Sequence, residues 1–464
     1  MKDPQRDTER TPLAAAIDGH LEKNRASFHT PGHKGRAPFL NFLASLPADL
    51  TELPDTGSLY DGQDAIEAAE ARAARAFGAQ LTLFSGGGCT LCIQTMLLLG
   101  AGAGGRVLMA RNAHRSAVHA AALLGQDIVW LWPPESGQGG FPQPAAADVE
   151  NALKTDPSIR AVYVTSPDYY GRLCDIEGMA AACARAGIPL LVDNAHGSHL
   201  GAFGRHPLAL GAAMTADSAH KTLPVLTGGA YLHISARFPV TRTEAKAAMA
   251  LFGSTSPAFP VLASLDAARQ WWETEGKDAY RALAARSAAL REEAAAAGVV
   301  CPAFSEVEER LRDPVRLTLD GAPGGLAGDA LADWLRTQGC EPEYADARYV
   351  VLIPTPFNRA EDWERLTAAL RALPAQAAGM AKQKKPAFDP YRVRPRKACT
   401  LREALLRPAQ TVPAAQAAGR IAARTVCPCP PGVAAVVPGE KLTASLAEAL
   451  ESAGFAQLVV LKNL

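Results

Sequence analysis

Apolar positions recur along this chain with two periods, and the alternation between them lays out most of the first 300 residues. Positions 64–77 are rich in Ala, Glu and Arg with helical spacing, and Gly78 supplies a C-terminal stop. Leu81-Thr82-Leu83-Phe84 reads as a short strand; Ser85-Gly86-Gly87-Gly88-Cys89-Thr90 follows, and then a helical run to Leu99. A strand feeding a glycine turn and a helix aims backbone N–H groups at a phosphate. Ser85 and Thr90 add hydroxyl donors to that turn. The strand pattern repeats at 106–109, 127–132, 161–165, 188–192 and 228–234, with Ala-rich helical stretches between several of them. This alternation predicts an α/β fold whose mainly parallel sheet is covered on both faces, with ligands at the carboxyl ends of the strands.

A long helical stretch at 261–297 leads out of this region. Positions 298–375 mix short strands (315–319, 349–353) with helices, as in an α+β domain. The chain then turns Pro-, Lys- and Gln-rich before a final segment. The predicted organisation is an N-terminal arm at 1–40, a large domain at 41–297, a small α+β domain at 298–375, a linker at 376–397 and a C-terminal domain at 398–464. Lys382-Gln383-Lys384-Lys385 reads as a solvated charge cluster in the linker.

A length of 464 residues with 48% hydrophobic content is enough to bury a large core. Zero formal net charge gives no electrostatic reason to expect nucleic acid or an anionic membrane as partner. The N-terminus has no apolar signal-like core, and no apolar run is long enough to span a bilayer, so the cytoplasm is the expected location. Nine cysteines, an odd number, point to reduced thiols. Cys89-Thr90-Leu91-Cys92 has CxxC spacing, with Cys427-Pro428-Cys429 as a conceivable second pair. Cys92 falls inside an apolar helical run, so these read as small buried hydrophobes and no metal site is expected.

The chemistry gathers at the strand ends, where His114, Ser166, Asp193 and His196 all fall. The centre is Asp217-Ser218-Ala219-His220-Lys221-Thr222-Leu223-Pro224. A lysine amine forms a Schiff base only when burial or a cationic neighbour lowers its pKa. With Lys221 on a carbonyl carbon and Ser218 and His220 on a phosphate, the ligand described is pyridoxal 5'-phosphate (PLP). Its pyridinium nitrogen needs a carboxylate partner, which Asp193 supplies at the end of an apolar strand. The imidazole of His114 is placed to stack on the planar ring.

These residues resemble one family closely, the bacterial ornithine/lysine/arginine decarboxylases of the aspartate-aminotransferase (type I) PLP fold. The matching stretches are Thr30-Pro31-Gly32-His33-Lys34-Gly35, Thr51-Glu52-Leu53-Pro54, Arg111-Asn112-Ala113-His114, Thr165-Ser166-Pro167 with Tyr169-Tyr170-Gly171, Asp193 with Ala195-His196-Gly197, Ser218 with His220-Lys221-Thr222-Leu223-Pro224, and Thr255-Ser256-Pro257. Further on, Gly419-Arg420-Ile421-Ala422-Ala423, Pro430-Pro431-Gly432 and Pro438-Gly439-Glu440 also match. The resemblance implies that Lys221 carries PLP, that Asp193 pairs with the ring nitrogen and that His114 stacks on the ring. It places Ser218, His220 and the Gly88-Cys89-Thr90 turn on the phosphate, and His196 beside the phenolic oxygen. Thr255 looks like the residue a neighbouring subunit lends to the phosphate, which implies a homodimer or higher homo-oligomer with shared active sites. The implied form is the short one without an N-terminal wing domain.

Departures fall where substrate choice is expected to be set. Asn194 stands where Glu is usual, the phosphate loop is unusually glycine-rich, Asp168 replaces a neutral residue and Cys429 replaces an aromatic. The implied reaction is decarboxylation of arginine, lysine or ornithine to agmatine, cadaverine or putrescine. Asp55, Asp61, Asp168 and Glu440 are the acids considered for the substrate's distal cation. Two competing readings are another PLP reaction on the same fold, such as transamination or a lyase step, and a non-catalytic scaffold.

Overall fold

The computed structural model describes residues 23–28, 52, 57–61, 65–132, 143–302, 310–376, 379–380, 393–427 and 432–462. The motifs at Thr30 to Gly35, Thr51, Leu53-Pro54 and Pro430-Pro431, together with Asp55, Lys382 to Lys385 and Cys429, lie outside these residues.

After a short strand β1 (Ala26–Phe28), the chain alternates as its periodicity predicts. Helix α1 (Ala65–Phe77) leads to β2 (Leu81–Ser85), α2 (Gly88–Ala101), β3 (Arg106–Ala110) and α3 (Arg115–Leu123). Next come β4 (Asp127–Leu131), α4 (Ala146–Thr155), β5 (Ile159–Thr165), α5 (Ile176–Ala186), β6 (Leu190–Asp193), β7 (Met214–Asp217), the single turn α6 (Ala219–Thr222) and β8 (Ala230–Ile234). These build a seven-stranded sheet in the order β2-β8-β7-β6-β5-β3-β4, in which β8 alone runs antiparallel to its neighbours. Strand β7 was not among the sequence expectations. Its four residues, Met-Thr-Ala-Asp, are too short and mixed to show a period, yet all four are buried.

Alternation along the strands sends successive side chains to opposite layers. Val107 and Met109 of β3 join Ile93, Met96 and Leu97 of α2 and Val118 of α3. Leu108 and Ala110 meet Val149 of α4 and Met179 of α5 on the other face. Both faces are covered, so the central strands read as unbroken apolar runs.

The stretch at 261–297 folds as two helices, α7 (Arg242–Ala250) having preceded it: α8 (Phe259–Trp271) and α9 (Lys277–Ala296), joined through a π turn at Trp272–Gly276. The chain then forms a smaller antiparallel sheet of β9 (Leu317–Asp320), β11 (Tyr344–Ala345) and β12 (Tyr349–Leu352), while β10 (Cys340–Pro342) pairs in parallel with β1. The N-terminal strand thus belongs structurally to this smaller unit. Helices α10 (Gly328–Thr337) and α11 (Ala360–Gln376) pack on it. The last segment carries α12 (Leu401–Leu406), the hairpin β13 (Ala409–Pro413) with β14 (Gln457–Leu461), and α13 (Ala444–Ser452). Leu401, Ala434 and Val437 of that segment enter the core formed by α2 and α3, so it is fixed to the large sheet.

Among the described residues, no helix is long and apolar enough to cross a membrane.

Candidate active site

Strands β2, β3, β5, β6 and β7 all end at the same edge of the sheet, and the turns that follow them converge. Lys221 sits on α6, directly after β7. Its neighbour His220 donates from Nδ1 to the Gly229 carbonyl at 3.1 Å, and the Thr222 carbonyl accepts from the Tyr280 hydroxyl. The lysine is thereby held on a short, rigid turn.

The Lys221 Nζ lies 2.9 Å from His196 Nε2. Burial pushes the amine below its usual pKa, and the attraction of the Asp193 carboxylate opposes that shift. Asp193 is 2% exposed; its Oδ1 accepts from the Ala195 N–H at 3.1 Å and its Oδ2 from the Tyr163 hydroxyl at 3.1 Å. Burial raises the Asp193 pKa, and Lys221 and these hydrogen bonds counter it. Tyr163 and Asp193 meet because Tyr163 pairs with Leu191 across β5 and β6, two residues before Asp193 and on the same face.

His114 follows β3 and caps α3: its Nδ1 accepts from the Ser116 N–H at 3.2 Å. Burial, with Lys221 and Arg115 nearby, holds its pKa down to about 4. The ring is therefore neutral at physiological pH, as a stacking surface over a cationic ring should be. Behind it lies Gly432, at a φ of +73°, where a Cβ would collide with the imidazole. His196 is pushed well below its usual value by burial and then by Lys221 and Arg316.

The glycine turn after β2 packs against a second glycine turn. The Gly88 N–H donates to the Gly228 carbonyl at 2.8 Å, and the Ser85 hydroxyl donates to the Gly88 carbonyl at 3.0 Å. Gly88 takes a φ of +68°, which its lack of a Cβ allows. Helix α2 opens with no side-chain cap and no acid in its first turn, so the amides after Gly88 meet no competing anion from their own helix. Cys89 is buried against Ser218 and near Asp193; burial raises its thiol far above the ordinary range, which makes it an apolar wall. Cys92 is likewise pushed up to about 12 by burial.

The structure therefore brings together Lys221, Asp193, His114, His196, Ser218, His220, Gly88 and Cys89. Thr90 is exposed on the first turn of α2, and Thr255 is exposed in the 253–257 loop. Among the described residues, no side-chain hydrogen bond joins either of them to this cluster.

Three of the acids considered for a distal cation are engaged elsewhere or exposed. Asp168 Oδ1 accepts from the N–H groups of Tyr170 at 3.0 Å and Arg172 at 2.8 Å, closing the turn it belongs to. Burial nonetheless raises its pKa to about 6. Glu440 is locked to Arg111, with 3% and 1% of the two side chains exposed, and also accepts from the Val437 N–H. Asp61 is exposed beside Ser58.

Asn194 also finds its explanation here. Its Nδ2 donates to Asp217 Oδ2 at 2.7 Å, and His206 Nε2 reaches the same oxygen at 3.0 Å. Asn194 therefore serves as an amide donor to the buried Asp217 carboxylate on the neighbouring strand. His206, Asp217 and His233 lie close together; Asp217 Oδ2 is taken by Asn194 and His206, while His233 is bonded through Nδ1 to the Thr82 hydroxyl.

Two site residues were invisible in the sequence, because the smaller unit delivers them. Arg316 reaches in beside β9; its NH1 donates to the Tyr169 carbonyl at 2.8 Å and its NH2 meets His196 Nδ1 at 3.1 Å. Glu343 accepts from the Tyr169 hydroxyl at 2.8 Å and acts electrostatically on Lys221.

Comparison with known proteins follows the same outline. The Orn/Lys/Arg decarboxylase major domain matches residues 11–307, and the C-terminal domain of the same family matches residues 380–454. The arginine decarboxylase of Bacillus anthracis is 30% identical over 452 residues, covering 93% of this chain and 91% of that protein. That of Bacillus subtilis (strain 168) is 29% identical over 454 residues, covering 93% and 91%. The constitutive lysine decarboxylase of Escherichia coli superposes with a TM-score of 0.73 at 20% identity, over 97% of this chain and 82% of that structure, a likeness of fold.

Proposed function

The chain belongs to the Orn/Lys/Arg decarboxylase family, and from that premise we propose that it is a PLP-dependent enzyme releasing CO2 from a basic amino acid. The observation that carries this reading is the placement of the Lys221 amine and the Asp193 carboxylate, both buried and electrostatically coupled at one edge of the sheet.

The donor set fits the cofactor. Burial that lowers the pKa of an amine makes it a better nucleophile than an exposed lysine, and a buried carboxylate needs a cationic partner. The uncapped start of α2, with Ser218 and His220 across from it, suits a phosphate. When bound, PLP supplies an electron-withdrawing pyridinium ring that accepts the electron pair left behind as CO2 departs.

The protein's own contribution is positional and protonic. Asp193, oriented by Tyr163 and Ala195, keeps a proton at the ring nitrogen. His114, neutral and held by Ser116 on one side and Gly432 on the other, fixes the ring plane. Lys221 Nζ is the group that returns a proton to the substrate Cα. Burial of the site excludes water, so that this proton transfer is not lost to solvent.

Relatives matched over nearly their whole length are named arginine decarboxylases, which favours arginine as substrate and agmatine, a polyamine precursor, as product. Thr255, exposed in the single chain, is the residue offered to a second copy, making the working enzyme at least a dimer. Among the described residues, Cys89, Cys92, Cys174, Cys183, Cys340 and Cys399 are free thiols, in keeping with a cytoplasmic enzyme.

The experiment is to supply arginine, lysine and ornithine side by side and measure CO2 and amine. Equimolar CO2 and amine from one of them, arginine foremost, is the expected outcome. Formation of a keto acid without CO2 would instead identify a transaminase.

A further inference from the structure

The neutral imidazole of His196 has one proton and two committed nitrogens. Its Nδ1 faces Arg316 NH2 at 3.1 Å and its Nε2 faces Lys221 Nζ at 2.9 Å. A guanidinium only donates, so Nδ1 must accept, and the ring proton is then on Nε2. An ammonium on Lys221 would set N–H against N–H across that contact; a free amine presents its lone pair.

We propose that Arg316 is a positioning residue that fixes the His196 proton on Nε2, so that this N–H donates to the Lys221 lone pair and excludes the ammonium form. The proposal rests on the reading of Lys221 as the cofactor lysine.

Arg316 is itself rigidly held. Its NH1 is bonded to the Tyr169 carbonyl at 2.8 Å, and a Cβ at Gly171 would stand 2.6 Å from its Cγ, so the stem lies flat against that glycine. Asp313 Oδ1, bonded to His199 at 3.0 Å, receives the Val315 N–H at 3.0 Å and anchors the segment. One N–H of each terminal nitrogen is thus spent on the protein, which fixes the plane of the guanidinium against His196. The other charged or titratable groups acting on Lys221 or His196 are Asp193, Cys89, Glu343, His114 and His220.

The test follows PLP uptake by the full-length protein stripped of cofactor, read as growth of the visible absorbance band from about pH 6 to about pH 10. In Arg316→Met, uptake at neutral pH should slow on the order of tenfold and recover at alkaline pH, because more of the amine is protonated. Arg316→Lys, which keeps a donor, should restore most of the rate. In a His196→Asn background, Arg316→Met should cause no further slowing, since its effect passes through the imidazole. A wild-type profile in Arg316→Met, or equal slowing with and without His196, would overturn the proposal. Should Arg316→Met fail to fold, His196→Asn alone must show the same alkaline displacement, and an unchanged profile refutes the idea. A visible band formed by Lys221→Ala would instead overturn the assignment of the cofactor lysine.

Discussion

A carboxylate held in an apolar layer acts through its charge, and Asp193 is the residue where that charge decides the chemistry. Asp193→Asn keeps the shape and the Tyr163 contact but removes the charge, so kcat should fall on the order of a hundredfold or more, by analogy with other losses of a catalytic protonation. Steady-state rates beside a circular dichroism spectrum check this; a near-normal kcat in a folded variant would contradict the pairing. Asp193 and His114 were legible in the sequence because each falls within a few residues of a recognisable strand end, and Lys221 because of the Ser218, His220 and Thr222 side chains around it, its own strand being too short to show a period. Arg316 was not, since its contact with His196 spans 120 positions of chain and comes from a different unit. Asp168 and Glu440 misled for the opposite reason: an acidic residue shows its charge in the sequence but not the backbone amides or the arginine that engage it.

Among the elements, the stretch that begins at Gly432 matters beyond its size, since Gly432 forms the wall behind His114. The Arg115 N–H donates to the Gly432 carbonyl at 2.9 Å, tying α3 to this segment. Gly432→Ala would force a left-handed φ on a non-glycine residue and push on the imidazole. We expect a loss of about 1–3 kcal/mol in stability together with weaker PLP retention. Denaturant midpoints and dialysis of the holoenzyme measure the two; an unaltered dissociation rate would show that His114 does not depend on this wall. The α/β alternation and the parallel sheet were readable because the central strands are buried on both faces and so are continuously apolar. The antiparallel β8 was not, since strand direction leaves no mark on composition. Nor was the π turn between α8 and α9, where Gly276 gives room to Trp271 and Trp272.

At the scale of the molecule, the buried Arg111–Glu440 pair joins the last segment to the large sheet, and Trp130 and Trp132 face the guanidinium at 4.6 and 4.9 Å. Glu440→Gln leaves a buried cation without its counter-charge and should cost about 3–5 kcal/mol. A urea midpoint equal to wild type would contradict the lock. Acid should also weaken the fold. Burial holds His114 and His233 at about 4, below the value of an unfolded histidine. As pH falls from about 6.5 toward 4 the unfolded chain takes up protons that the folded one refuses, so stability present above that window is lost within it. Tm measured across the window should decline, and His233→Asn should flatten part of the slope; a pH-independent Tm would oppose this. The central claim is that one lysine amine, opposite one buried carboxylate, carries the cofactor. Borohydride reduction of the purified, PLP-loaded protein followed by peptide mapping tests it most directly. The pyridoxyl group should be found on Lys221, and recovery of the label on a different lysine, or on none, would contradict the account.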